Sequence, residues 1–223
     1  MVSEPSEPLE PLESFHPVPG DLAAMLSADV PGGWAAHALV QARVLWPMHV
    51  VSLRTLEPQA AQWMAALRAA GIHELPRPGC FTGGDLRAVW SRPTECLALT
   101  QDATAASVLL DLLRPGATAL GCAVDRTSGA IAIELCGPGI ERLLARLVDA
   151  SAIPMAPGQA TRARMVDVGV HLLRIEDQQL WLLTDRAHAD YLAAWLLDAS
   201  QRIEDRSQPS SQARSAGMDG VPC

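Results

Sequence analysis

Chemistry-bearing motifs are scarce in this sequence, and each absence removes a class of function. The five cysteines, Cys80, Cys96, Cys122, Cys136 and Cys223, are odd in number and irregular in spacing, with no Cys-x-x-Cys pair. That pattern gives neither a disulfide framework nor a zinc site, and no cysteine sits among basic residues that would activate it. The six histidines, His16, His37, His49, His73, His171 and His188, are scattered without a His-x-x-x-His pair. Gly-x-Gly-x-x-Gly, Gly-Lys-Ser/Thr and Gly-x-Ser-x-Gly are missing, so the recognisable phosphate-cradling loops and nucleophile elbow are excluded. No block of basic residues offsets the formal net charge of -8, which argues against wrapping nucleic acid. No apolar run reaches membrane-spanning length. The opening "MVSEPSEPLEPLESF" is acidic and proline-rich where a signal peptide is basic and then apolar. A soluble cytoplasmic protein, with no nucleic acid or membrane among its partners, is expected.

What the sequence has is apolar bulk. Hydrophobic residues make up 49% and charged residues 19% of 223, enough to bury a sizeable core in one large domain or two small packed ones. Composition sets off the ends. Residues 1–48 read as a proline-rich N-terminal arm with one short helix near 21–28. Residues 201–223, rich in Ser, Gln, Pro and Gly, read as a disordered tail. Within the arm, Trp34, Val40, Leu45, Trp46 and Met48 follow neither a helix nor a strand period. A run of that kind is rarely left exposed. It either folds back on the body or packs against a neighbouring subunit; aromatic residues and Met are enriched at interface cores, so these five are the candidate interface residues.

The body, 49–200, is punctuated as strands and helices. In "IAIELCGPGIERLLARLVD" (131–149), Ile131, Ile133 and Leu135 alternate as in a strand. After Gly137-Pro138-Gly139, Ile140, Leu143, Leu144, Leu147 and Val148 fall on one helical face. The corner is a possible anion loop, but a phosphate cradle needs several free N–H groups at a helix start. Pro138 removes one, so a purely structural turn is expected, with Pro138 in the first helical turn. "GCFTGGD" (79–85) reads as a loop. Glu176 and Asp177 read as a hairpin tip, and Asp185 as a helix cap. Trp63, Trp90, Trp181 and Trp195 read as core. No catalytic, cofactor-binding or metal-ligating residues are assigned.

The elements repeat. "ECLALTQDATAASVLLDLL" (95–113) lies over "QLWLLTDRAHADYLAAWLL" (179–197) at an offset of 84, so that Thr100 meets Thr184, Ala105 meets Ala189, and Leu112 and Leu113 meet Leu196 and Leu197. Upstream the offset becomes 80, with Pro58 over Pro138 and Leu67 over Leu147. The spacing therefore predicts an α+β fold of two ferredoxin-like β-α-β-β-α halves, 49–114 and 129–198, each with helices packed on an antiparallel sheet.

Three stretches carry a resemblance: "DLRAVWSRPTECLAL", "VDRTSGAIAIELCGPGIERLLARL" and "APGQATRARMVDVGVHLLRIEDQQLWLLTDRAHADYLAAWLL". From about 86 to 198 the chain resembles the gamma subunit of heterotetrameric sarcosine oxidase, within the wider group similar to glycine-cleavage T protein and its folate-binding relatives. The resemblance implies a non-catalytic subunit that binds no cofactor itself. Its partners would be alpha, beta and delta subunits, and FAD, FMN, NAD and tetrahydrofolate would reside on those partners. The parent activity would be oxidation of sarcosine or another N-methyl amine, in one-carbon metabolism. The alternatives are a stand-alone folate-binding or aminomethyltransferase-like protein, or an assembly factor.

Overall fold

The computed structural model of the protein describes residues 39–57, 60–114 and 121–205. The helix expected near 21–28, Trp34, Pro58 and the tail beyond 205 lie outside the described residues. The elements run β1 (Gln41–Val44), β2 (His49–Thr55), α1 (Ala61–Ala69), β3 (Arg87–Arg92), β4 (Glu95–Thr100), α2 (Ala103–Leu112), β5 (Gly121–Asp125), β6 (Ala130–Cys136), α3 (Ile140–Leu147), β7 (Ala160–Met165), β8 (Val168–Glu176), β9 (Gln179–Asp185) and α4 (Ala189–Asp205). They build two sheets, β3-β4-β2-β5 and β1-β6-β9-β8-β7, with every pairing antiparallel. The fold is α+β, with two ferredoxin-like halves.

Strand alternation divides each sheet into two apolar faces. One face of the second sheet packs under α3 and α4 through Ile133, Leu135, Leu143, Leu182 and Leu192. One face of the first packs under α1 and α2 through Leu53, Trp63, Leu67 and Leu109. The remaining faces meet in a third cluster that includes Val50, Val89, Leu97, Leu99, Ala132, Leu173, Trp181 and Leu183. The order is thus helices, sheet, sheet, helices, with a seam between the sheets.

The pairing registers show how the halves correspond. Arg87 pairs with Leu99, and His171 pairs with Leu183, each partner displaced by 84. Both hairpins carry a bulge at the same place, between Trp90 and Arg92 and between Arg174 and Glu176. The opening strands are displaced by 82 rather than 80, because Thr100 pairs with His49 whereas Thr184 pairs with Ile131. The following helices do sit at 80, with Trp63, Met64 and Leu67 of α1 buried like Leu143, Leu144 and Leu147 of α3. The difference is absorbed in the connection between them. The last helices match at 83. Ala106, Leu109 and Leu113 are buried like Ala189, Leu192 and Leu196, which leaves Val108 and Leu112 on the exposed face of α2. The pairing of Leu112 with Leu196 expected from sequence is therefore corrected to Leu113 with Leu196. The cause is the one-turn 3-10 segment Arg186–His188 that precedes α4.

The arm supplies a strand. β1 pairs with β6 as β5 pairs with β2, and Ala42 opposite Leu135 occupies the place of Ala123 opposite Leu53. Val40 is 1% exposed and packs in the core under α3 and α4, while Leu45 and Met48 are buried in the seam. These three fill this chain's own cores. Trp46 is half-buried, with the Arg186 guanidinium 5.8 Å from its ring centroid. The four-residue strand was hidden because only Ala42 and Val44 mark its alternation.

Candidate functional site

The Gly-Pro-Gly corner is a docking turn for the arm. The Gly139 N–H donates to the Leu39 carbonyl at 2.8 Å, and the Gly137 N–H donates to the Gln178 carbonyl at 2.9 Å. Gly137 has φ 130, and a Cβ there would lie 2.4 Å from the Leu39 oxygen. The N–H groups of both glycines are thus taken by carbonyls. Pro138 stands ahead of the helix rather than in its first turn, because Gly139 caps α3.

A second pair of glycines lies on the axis relating the halves. Pro78-Gly79 and Pro157-Gly158 are both turns, with φ 79 and 85 at the glycines. The Phe81 N–H donates to the Gly158 carbonyl at 3.1 Å, and the Ala160 N–H donates to the Gly79 carbonyl at 2.9 Å. Cys80 bridges Gln159 between them. The stretch 79–85, expected to be a plain loop, is the first half's counterpart of β7. It is reduced there to a bridge from Phe81 to Val89, and Arg162 on β7 corresponds to Gly83.

The seam ends in two polar cavities that are images of one another under this axis. One, about 300 Å³, is lined by Asp85, Arg87, Thr100, Gln101, Asp102 and Trp181. The other, about 360 Å³, has Gly169, His171, Thr184, Asp185 and Leu97 at the matching places, together with Ser91, Arg92, Glu95, Arg126 and Arg162. At the first end the Arg87 guanidinium lies 4.6 Å from the Trp181 ring centroid, a cation–π contact. Burial lowers the Arg87 pKa from its ordinary value against the opposing charge of Asp85. At the second end His171 Nε2 lies 3.3 Å from Ser91 Oγ. Burial first, then the charge of Arg162, push the His171 imidazole down to about 4.

Beside the first end sits a buried carboxylate. Glu134 is 2% exposed and accepts from Arg43 Nε, from Gln179 Nε2 at 2.5 Å and from Trp181 Nε1 at 3.2 Å. Burial would raise its pKa, but the bonds from Arg43, Gln179 and Trp181 outweigh that and hold it below the usual carboxylate range. Arg174, 1% exposed, is likewise internal. Its Nε donates to the Pro154 carbonyl at 2.9 Å and one Nη to the Asp177 carbonyl at 3.1 Å, tying β8 to the loop before β7 and to its own hairpin tip.

Of the other residues singled out in the sequence, His188 lines the second cavity together with His171 and Asp185. His49 and His73 line neither cavity, and His16, His37 and Cys223 lie outside the described residues. Cys96 is buried, which pushes its thiol up to about 12, the reverse of activation. Glu176 and Asp177 are exposed at the hairpin tip. Asp185 precedes the 3-10 turn but makes no capping bond with its side chain, lying instead 3.7 Å from Arg126. Trp63 and Trp181 are core, Trp90 is half-buried, and Trp195 is 40% exposed on α4, against the expectation of burial. Among the described residues no group of three His, Cys, Asp or Glu could hold a metal ion, and no helix is long and apolar enough to cross a membrane. The seam cavities were invisible in the sequence because their residues come from seven separate strands; the displaced Pro-Gly pair was the available signal.

The fold is similar to that of a sarcosine oxidase chain. The structure in question is heterotetrameric sarcosine oxidase from Corynebacterium sp. U-96, matched over 82% of this chain and 93% of that one, with a TM-score of 0.69 and 24% identity. A second likeness is to glycine cleavage system aminomethyltransferase T from Bartonella henselae, with a TM-score of 0.52 and 12% identity. It spans 72% of this chain but only 46% of the transferase. No protein-family model matches the sequence, and no curated protein does.

Proposed function

We propose that this chain is the non-catalytic, gamma-type subunit of a multi-subunit, flavin-dependent oxidase of sarcosine or a related N-methyl amine. It stabilises the complex by packing against the large subunit. The supporting observation is the extent of the likeness: 93% of one chain of a heterotetrameric enzyme is matched, a whole chain rather than a fragment of one. On this reading the partners are alpha, beta and delta subunits in the cytoplasm, and FAD, FMN, NAD and tetrahydrofolate are held by them.

The test is isolation of the tagged full-length chain from its native host, followed by size exclusion and absorption spectroscopy. The expected result is stoichiometric co-elution with a flavoprotein that oxidises sarcosine or another N-methyl amine, while the separately purified chain is colourless and inactive. A chain that elutes alone from such extracts, or that is yellow and turns over amine by itself, overturns the proposal. A stand-alone folate-binding or aminomethyltransferase-like protein would instead bind tetrahydrofolate in isolation, and an assembly factor would associate only transiently.

A further inference from the structure

The two ends of the inter-sheet seam share a backbone but differ in charge: the lining of the first is acidic and that of the second is balanced. At the Arg87 end the lining charges are Asp85, Asp102 and one arginine, whose guanidinium lies over Trp181. At the His171 end the lining contains Arg92, Arg126 and Arg162 against Glu95, Asp167 and Asp185. These carboxylates have further cations behind them. Arg54 lies 3.7 Å from Glu95, and Arg164 lies 3.0 Å from Asp167. Each lining carboxylate is thus already paired with an arginine, Glu95 with Arg54 and Arg92, Asp167 with Arg164 and Asp185 with Arg126, in a chain whose overall charge is -8.

Arg162 stands out within this set. Among the described residues it forms no ion pair, whereas Arg92 lies 3.6 Å from Glu95 and Arg126 3.7 Å from Asp185. It stands on β7, opposite His171, where the first half has only Gly83 and no full strand. No aromatic ring of the kind that receives Arg87 lines this end; the place of Trp181 is taken by Leu97. The cleft is concave and within the size range of small-molecule sites. Its guanidiniums have a planar fork that matches a carboxylate, and His188 lines the cleft with them.

We propose that this arginine-bearing end of the seam binds a small carboxylate anion, with Arg162 as its main counter-charge and the Ser91–His171 pair as hydrogen-bonding groups beside it. The neutral state of His171 follows from its burial and from the cations around it. A neutral imidazole can donate or accept there without adding charge. The site lies wholly within this chain, so it does not depend on the subunit reading and can fail or succeed separately from it.

The experiment is titration of the full-length chain with sodium succinate in low-salt buffer at neutral pH. Calorimetry and the His171 ring resonances are the readouts, with sodium chloride and putrescine at matched ionic strength as controls. Succinate is expected to bind saturably and to shift His171. R162A is expected to weaken binding by about tenfold, the loss of one charge-assisted contact, while R146A, a charge removal on α3, changes it by less than about twofold through long-range screening alone. Arg162 and Arg146 are both exposed, so an unchanged melting temperature in each variant shows that the fold survives. Absence of saturable heat, equal weakening by R162A and R146A, or an equal His171 shift with chloride would each overturn the proposal.

Discussion

Replacing Gly137 by alanine tests whether the N-terminal arm is docked as a structural strand. The new Cβ would lie 2.4 Å from the Leu39 carbonyl oxygen and 3.2 Å from the Val40 Cα. Neither is the movable end of a flexible side chain. Gly137 also has φ 130, a conformation in which alanine is strained by about 1 kcal/mol or more. Overpacking against fixed backbone adds about 1–3 kcal/mol. The variant should therefore lose about 3 kcal/mol and, for a chain of this size, melt about 6–12 °C lower. The origin of the loss can be divided by making the same substitution in a chain that begins at Gln41. With Leu39 and Val40 gone, only the backbone strain remains, and the cost of G137A should fall to about 1 kcal/mol. The measurement is thermal and urea unfolding of all four chains. An equal cost in both backgrounds would show that residues 39–40 do not pack on the corner.

Three further outcomes are expected. Because the Glu134 carboxyl is held below its unfolded value, its contribution is present above the ordinary carboxylate pKa and disappears as pH falls through the folded one. Acid unfolding followed by circular dichroism should thus be shallower in E134Q than in the parent, and parallel curves would contradict the depressed pKa. His171, neutral in the fold with a value of about 4 against 6.5 unfolded, contributes stability present above 6.5 and lost on descending towards 4. H171Q should remove the part of the pH dependence in that window, which Arg162, Arg92, Glu95 and Asp185 also shape, and an unchanged slope there would refute it. Replacing Arg174 by alanine leaves the Pro154 and Asp177 carbonyls without their donor and should cost about 1–3 kcal/mol for each carbonyl left unpaired, read as a shift in the urea midpoint; a total loss below about 1 kcal/mol would mean that water replaces the guanidinium.

The repeat was legible in the sequence because its strongest markers are local. Thr100 and Thr184 hold equivalent places in β4 and β9, and the apolar spacing of α3 is that of a helix buried on one face. The finer correspondences were blurred by short length changes: two residues between β2 and α1, and one residue before α4. These move buried positions from one displacement to another. A single alignment offset cannot follow them, but pairing registers can. The Pro78-Gly79 and Pro157-Gly158 pair lies at yet another displacement, 79, and its meaning depends on hydrogen bonds exchanged across the axis. β1 was illegible for a different reason. Gln41–Val44 is too short for alternation to register, and its partner β6 begins at Ala130. The seam cavities share that difficulty, since Arg162, Ser91 and Asp185 converge only after both sheets have formed and faced each other.

The placement of β1 also sets an order of assembly. The first half holds all four of its strands between His49 and Asp125, so it can close its sheet while the chain is still being made. The second half cannot close on its own, because the strand that completes its edge is the first one synthesised. β1 leaves the ribosome ahead of everything else described here and must stay unpaired until β6 follows the entire first half. A cut between β5 and β6 would therefore give unequal products: one fragment with a finished sheet plus an orphan strand, and one with an open edge that the orphan fits. Mixing the two fragments is a route to complementation that two self-contained repeats would not offer.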